Sequence, residues 1–352
     1  MNDVKRKLAS VQEIIDVQPI DGADRIEVIT VLGWKVVSRK GEFKVGDKCI
    51  YFEVDSLIPR NPWNDFLASK SKPDAPIRLK TVRFRGQISQ GLAIPLGTII
   101  EANKNNIWEV SRCDMGRLDN GLDATGWLGV EKWEHQVPAC LSGEARGAFP
   151  PQIFKTDEIR IQSEPDLLEE FKGVEVYWTV KMDGTSGTFG NIDGDHHVCS
   201  RNLSLLDTGK NTYWEMYHQY GLKSVLDDAG CFAIQGEVCG EGIQKNRAGL
   251  KGHHLLVFNV LNIKEGKFLD YADYTSFCLH YALTTVPLHK IGVFDIDTVD
   301  EIVEYGTGCE YPNGATGEGY VIRPTVEKFS KVLNSRSSFK IINNNYLTKH
   351  DE

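Results

Sequence analysis

The chain has 352 residues, 41% hydrophobic and 25% charged, an ordinary globular composition with material for two or three domains that each bury a core. A formal charge of −9 argues against a surface that binds polyanions all over, but leaves room for a local basic groove or for carboxylates gathered around a metal. No run approaches the length of a membrane span and the polar start lacks an apolar signal core. Eight scattered cysteines without a Cys-x-x-Cys pair point to reduced thiols in a cytoplasmic compartment, not to a zinc site.

Residues 1–100 read as β-rich. Strand patterns at 14–17, 25–31, 34–37 and 49–54 are separated by Asp21-Gly22, Gly33, Gly41 and Val45-Gly46-Asp47-Lys48. Short strands at this spacing, with no long amphipathic helix, predict a small barrel or sandwich, and about five strands fit an OB-fold. The most basic stretch of the chain, Arg78-Leu-Lys80-Thr-Val-Arg83-Phe84-Arg85-Gly86-Gln87, has an aromatic embedded in it. It fits a strand face that tracks a nucleic-acid backbone, and equally a solvated edge whose charges block aggregation. Residues 101–153 are less regular and read as a connecting segment ending near Pro150-Pro151, with Trp108, Trp127 and Trp133 as packing residues. From 154 to 352, helical segments at 166–172 and 211–226 alternate with strand runs, so the overall class is α+β, with a β-barrel leading an α+β domain.

At the centre stands Val176-Tyr-Trp-Thr-Val-Lys181-Met-Asp183-Gly184-Thr185-Ser-Gly-Thr-Phe189. Asp-Gly between two strand-like runs predicts a β-hairpin. Chemically, the stretch fixes an amine at a strand end, beside a carboxylate and a small-residue turn that a phosphate can approach. Downstream come Cys199-Ser200-Arg201-Asn202, Phe232-Ala-Ile-Gln-Gly236-Glu237-Val238, Leu255-Leu-Val-Phe258-Asn259-Val-Leu261, Gly317-Glu318-Gly319-Tyr320-Val321-Ile322-Arg323 and Ser338-Phe339-Lys340-Ile341-Ile342. Singly, each has a plain reading. Asp183 is a turn residue, Glu318 a loop residue, Phe258 a core residue, and Arg160 and Arg201 are surface ion-pair partners. Glu237, ending an apolar strand before a glycine-rich bend, is the hardest to dismiss.

Taken in order, these motifs resemble the covalent nucleotidyltransferase superfamily of ligases and mRNA capping enzymes. Within it the chain is most similar to the ATP-dependent RNA ligases that carry an OB-fold domain ahead of the nucleotidyltransferase domain. The resemblance implies that Lys181 attacks the α-phosphate of ATP to form lysyl-AMP, releasing pyrophosphate. Asp183, Glu237 and Glu318 then match carboxylates that hold Mg²⁺ or Mn²⁺ through its waters, with Glu237 also at the nucleotide. Phe258 matches the aromatic that stacks on adenine, Arg160 a nucleotide-binding arginine, and Arg201 an arginine on the nucleotide or the RNA end. Lys340 matches the last motif's lysine, aimed at the α-phosphate.

Two positions depart from the pattern. Ile342 stands where relatives often have a second lysine, leaving Lys340 alone or aided by Lys331 or Arg336, and Asn259 stands where many have aspartate. Capping enzymes and most DNA ligases place an OB-fold after the last motif, whereas here only a dozen residues follow Lys340 and the β-rich module comes first. The expectation is a monomeric RNA ligase, with no membrane association, that seals 3′-OH and 5′-phosphate ends at nicks in RNA-containing duplexes. The alternatives are an OB-fold binding protein with an inactive nucleotidyltransferase domain, or a guanylyltransferase or DNA ligase relative.

Overall fold

A computed structural model describes residues 6–70, 75–102, 119–133 and 143–350, which fall into two compact units, one of residues 5–135 with 347–352 and one of residues 136–346 with 1–4. In the first, strands β1 (Ala9–Pro19), β2 (Ile26–Val31), β3 (Trp34–Arg39), β4 (Lys48–Phe52) and β5 (Leu92–Pro95) form one antiparallel sheet in the order β3-β2-β1-β4-β5. A register shift between Ile14 and Asp16 bends β1, and an added residue of this kind increases the local twist of a strand. The curled sheet buries Val11, Ile50 and Phe52 in one cluster and Ile29, Trp34 and Tyr51 in another. This is the expected OB-fold barrel. Residues 119–133, placed by the sequence in the connecting segment, instead pack within this unit. Val11 N–H donates to Leu122 O (2.9 Å), Glu131–Lys132 pairs with Ser56–Ile58, and Trp127 lines the first cluster. The Trp133 ring carries the Arg78 guanidinium 3.3 Å from its centroid. Trp108 lies outside the described residues.

The second unit is built on two largely antiparallel sheets. Strands β6 (Glu175–Val180), β10 (Gly319–Pro324) and β11 (Phe339–Ile342) belong to a five-stranded sheet in the order Ile159–Arg160, β11, β10, β6, Leu288–Val293. Strands β7 (Thr185–Ile192), β8 (Phe232–Gly240) and β9 (His253–Asn262) lie side by side in a seven-stranded sheet. Helices Thr212–Gln219, Leu222–Ala229 and Tyr271–His280 pack Met216, Leu226 and Tyr274 onto Phe189, Ile234 and Val257 of the larger sheet. Helices Leu167–Phe171 and Val299–Thr307 pack Phe171 and Ile302 onto Trp178, Ile322 and Phe339 of the smaller one. The single helix expected over 211–226 is two. Gly221, at φ 58, takes the left-handed conformation that glycine adopts cheaply and turns the chain between them.

The central stretch is not a hairpin. β6 pairs with β10 and Leu288–Val293, while β7 pairs with β8 and Asp195–Cys199, so Lys181-Met182-Asp183-Gly184 carries the chain from one sheet to the other. Gly184 is needed for room, because a Cβ there would stand 2.5 Å from Val238 O, 2.7 Å from Cys239 Sγ and 2.8 Å from Glu237 Cγ. Replacing Gly184 by alanine is therefore expected to cost about 1–3 kcal/mol, read as a lowered denaturation midpoint in urea. Among the described residues no helix is long and apolar enough to cross a membrane. The described cysteines are all free thiols.

Candidate active site

Lys181 follows directly on β6, and its backbone is held from two sides. Its own N–H donates to Gly319 O (2.8 Å), and that of Val180 donates to Pro287 O (2.9 Å). Its Nζ donates to Glu318 Oε2 at 2.7 Å. Glu318 is positioned in turn by the Tyr311 hydroxyl, which accepts its backbone N–H (3.3 Å). Gly319 follows at φ 144, where a Cβ would lie 2.0 Å from Ile341 O. Glu237, near the end of β8, accepts the Gly184 N–H across the crossing segment.

The electrostatics follow from this crowding. Burial favours a neutral amine at Lys181, but Glu318, Glu237 and Asp183 outweigh it and hold its pKa above the ordinary lysine value. Glu237 is pushed up to about 7, first by burial and then by Glu318 and Asp183, against the pull of Lys181. A carboxyl raised in this way stabilises the fold fully below its unfolded pKa and loses that contribution as pH rises through about 7. Glu237→Gln should therefore stabilise the metal-free protein at about pH 8.5, by about 2 kcal/mol, and make little difference near pH 5. Thermal unfolding in chelator at both pH values checks this.

Asp183 faces a different partner. Arg247 Nη1 donates to its Oδ2 at 2.8 Å and to the Tyr346 hydroxyl at 2.5 Å, with the guanidinium 4.7 Å from the Tyr346 ring centroid. Among the described residues no group of three or more His, Cys, Asp or Glu is arranged to grip a metal ion directly. Glu318 contacts the Lys181 ammonium directly, and Glu237 and Asp183 act on it through their charge. Three carboxylates gathered in this way suit a hydrated divalent cation held through its waters.

Phe258 owes its place to an irregularity. In the β8–β9 ladder Gln235 pairs with Asn259 and Gly236 with Val257, so Phe258 is the extra residue of a β-bulge. Bulges re-aim side chains, and here the half-buried ring packs against the cluster of the facing sheet, with the Arg323 guanidinium 6.0 Å from its centroid. Asn259 Oδ1 accepts from Arg336 Nη1 (2.8 Å) while its Nδ2 donates to Gln235 Oε1 (3.4 Å). An aspartate could not donate, which accounts for asparagine at this position. Arg336 is also ion-paired to Glu327 and is buried. Nearby, Arg323 Nη2 donates to Glu158 (2.7 Å). Burial raises the Glu158 pKa, but Arg323 and Arg336 override it and hold the carboxyl below its ordinary range.

Across the smaller sheet, Thr179, Val321, Lys340 and Arg160 are consecutive cross-strand partners, and such a row shares one face. Lys181, two residues on from Thr179, belongs to that face. Ile342 is buried opposite Gly319, an apolar side chain where a second lysine would stand. Arg201 lies exposed in the turn after Asp195–Cys199 and pairs with Asp157 at 2.5 Å. The structure thus brings together Lys181, Asp183, Glu237 and Glu318, aligns Lys340 and Arg160 on their sheet, and presents Phe258 from the other. Sequence reasoning missed Arg247, Tyr311 and Tyr346, whose roles depend on contacts that no local motif announces.

An amine among carboxylates, a lysine and an arginine on one sheet, and a bulged aromatic on the next define a covalent nucleotidyltransferase. A family model described as RNA ligase matches residues 174–342, and one described as an OB-fold domain matches residues 8–96. Among curated protein sequences nothing matches. Among solved structures, a mutant RNA ligase of Naegleria gruberi with AMP and Mn is 33% identical at TM-score 0.86, covering 98% of this chain and 99% of that one. The RNA ligase of that organism with PPi gives 33% and 0.85, with 99% of each chain covered. Another mutant of it, with ATP and Mn, gives 33% and 0.85 over 99% of this chain and 100% of that one. The chain belongs to the RNA ligase family.

Proposed function

We propose that the protein is an ATP-dependent RNA ligase that joins 3′-OH and 5′-phosphate ends at nicks in RNA-containing duplexes, acting inside the cell as a monomer. The observation that carries this reading is the Lys181 amine, fixed at a sheet crossing 2.7 Å from Glu318, at the end of a sheet in which Lys340 and Arg160 are cross-strand partners. The relatives with ATP and Mn, with AMP and Mn, and with PPi support ATP as the nucleotide and a divalent cation as cofactor.

In the first step Lys181 Nζ bonds to the α-phosphorus of ATP, the bond to the bridging oxygen breaks, and pyrophosphate leaves. The nitrogen gives up two protons on the way from ammonium to phosphoramidate: Glu318, the carboxylate it already contacts, takes the one that frees the lone pair, and the second leaves with the basic pyrophosphate. Asp183, Glu237 and Glu318 would hold Mg²⁺ or Mn²⁺ through its waters, and the ion would supply the countercharge that these carboxylates and the triphosphate need. Phe258 stacks on the adenine, Arg160 binds the nucleotide, and Lys340 offsets charge on the phosphoryl oxygens in the transition state. AMP then passes to the RNA 5′-phosphate, and the neighbouring 3′-OH attacks that phosphate and expels AMP. Arg201 meets the RNA end once it leaves Asp157, an exposed pair worth about 0–1 kcal/mol. The adenylyltransferase domain is taken as residues 154–352, ahead of which stands the OB-fold.

Two assays test the reading. With ATP labelled at the α-phosphate and Mg²⁺ or Mn²⁺, the protein should acquire a covalent, acid-labile label. It should then seal a nick whose 3′-OH strand is RNA. No label removes the ligase chemistry, and label without sealing removes the nicked duplex as substrate.

A further inference from the structure

In the OB-fold unit, Val82–Phe84 and Gln87–Ser89 form a two-stranded ribbon, paired Val82↔Ser89, Arg83↔Ile88 and Phe84↔Gln87. Its loop consists of Arg85 (φ 49) and Gly86 (φ 85), both left-handed, as a tight two-residue hairpin requires. The ribbon is fixed at both ends. At its root Val37 N–H donates to Ser89 Oγ (2.9 Å) and Gln90 N–H to Lys35 O (2.8 Å). At its tip Arg85 Nη1 donates to Gly22 O (2.7 Å), in the turn between β1 and β2, and Arg83 Nη1 donates to Gly86 O (3.0 Å).

This rigid ribbon shows solvent an apolar face. Val82 is 40% exposed and Phe84 45%, and by strand alternation the two lie on the same side. Charges that merely guard a sheet edge have no use for a bare phenylalanine, which makes an edge more adhesive. Arg85 is tied to a carbonyl, so that contact leaves its charge uncancelled and its other N–H donors available for a further acceptor. A preordered aromatic between two arginines, on a chain that is acidic as a whole, is complementary to a polyanion with flat apolar faces.

We propose that the Val82–Ser89 ribbon is an RNA-contacting surface, with Phe84 stacking on a base and Arg83 and Arg85 taking backbone phosphates. The choice of RNA as the nucleic acid rests on the ligase reading. The geometry of the ribbon does not.

The test uses the full chain without ATP, and a fluorescent nicked RNA duplex and the corresponding single strand as probes, with anisotropy measured across a salt series. Phe84→Ala should weaken binding about tenfold at unchanged salt slope, since stacking on one base is worth about 1–3 kcal/mol. Arg83→Ala and Arg85→Ala should each lower the log–log salt slope by about 0.7–0.9, the signature of one lost phosphate contact. Lysyl-AMP formation should be unchanged in all three. Wild-type affinity and salt slope in these variants would overturn the proposal. If the wild type forms no lysyl-AMP but the binding losses appear, the ligase reading fails and the ribbon assignment stands.

Discussion

Lys181→Ala is expected to form no lysyl-AMP, a loss of at least about a thousandfold, because it removes the proposed nucleophile. Lys181→Arg should fail equally, since a guanidinium keeps its charge but is not deprotonated to an attacking amine. The alanine variant carries a second signature. Without the ammonium, Glu318, Glu237 and Asp183 face one another with no cation among them, although Asp183 keeps Arg247. A divalent cation should therefore raise the melting temperature of the alanine variant more than that of wild type. Gel labelling with α-labelled ATP reads the first effect and a thermal shift with Mn²⁺ reads the second.

Lys340→Ala is expected to slow lysyl-AMP formation by about 10²–10³-fold in single turnover, the scale for losing one preorganised charge or donor at a developing transition-state charge. Arg160, the cross-strand partner of Lys340, is already assigned to the nucleotide. Ile342 is apolar and buried, and Arg336 is committed to Glu327 and Asn259. The apparent affinity for ATP should change less than the rate, because a charge that matters most in the transition state appears in the rate constant. A loss confined to ATP affinity would make Lys340 a binding residue only.

Much of this was legible before the fold was known. The OB-fold strands could be read because glycine turns and apolar runs mark them locally. Lys181 directly follows β6 and Glu318 directly precedes β10, whereas β8 does not end at Glu237 as the sequence suggested but runs on to Gly240. The glycines of these motifs are there for space, as Gly184 and Gly319 show. The hairpin failed for the same local reason. Asp-Gly signals a change of direction, and nothing within a few residues says that β6 and β7 will find partners in different sheets. The bulge at Phe258 depends on the register between β8 and β9, and Arg247 reaches Asp183 and Tyr346 from remote parts of the chain. Such long-range choices are made by packing. Asn259 looked like a weakened motif and is instead a fitted hydrogen-bonding residue, placed to donate to Gln235 and accept from Arg336.

The central claim is that Lys181, and no other side chain, carries the AMP. Proteolysis of the ATP-treated protein at neutral to mildly alkaline pH, where a phosphoramidate survives, followed by mass spectrometry of the peptides, tests it most directly. The predicted result is a single AMP-modified peptide containing Lys181, absent when ATP is omitted. AMP on any other residue, or an unmodified Lys181 peptide after full incubation with ATP and Mn²⁺, would contradict it.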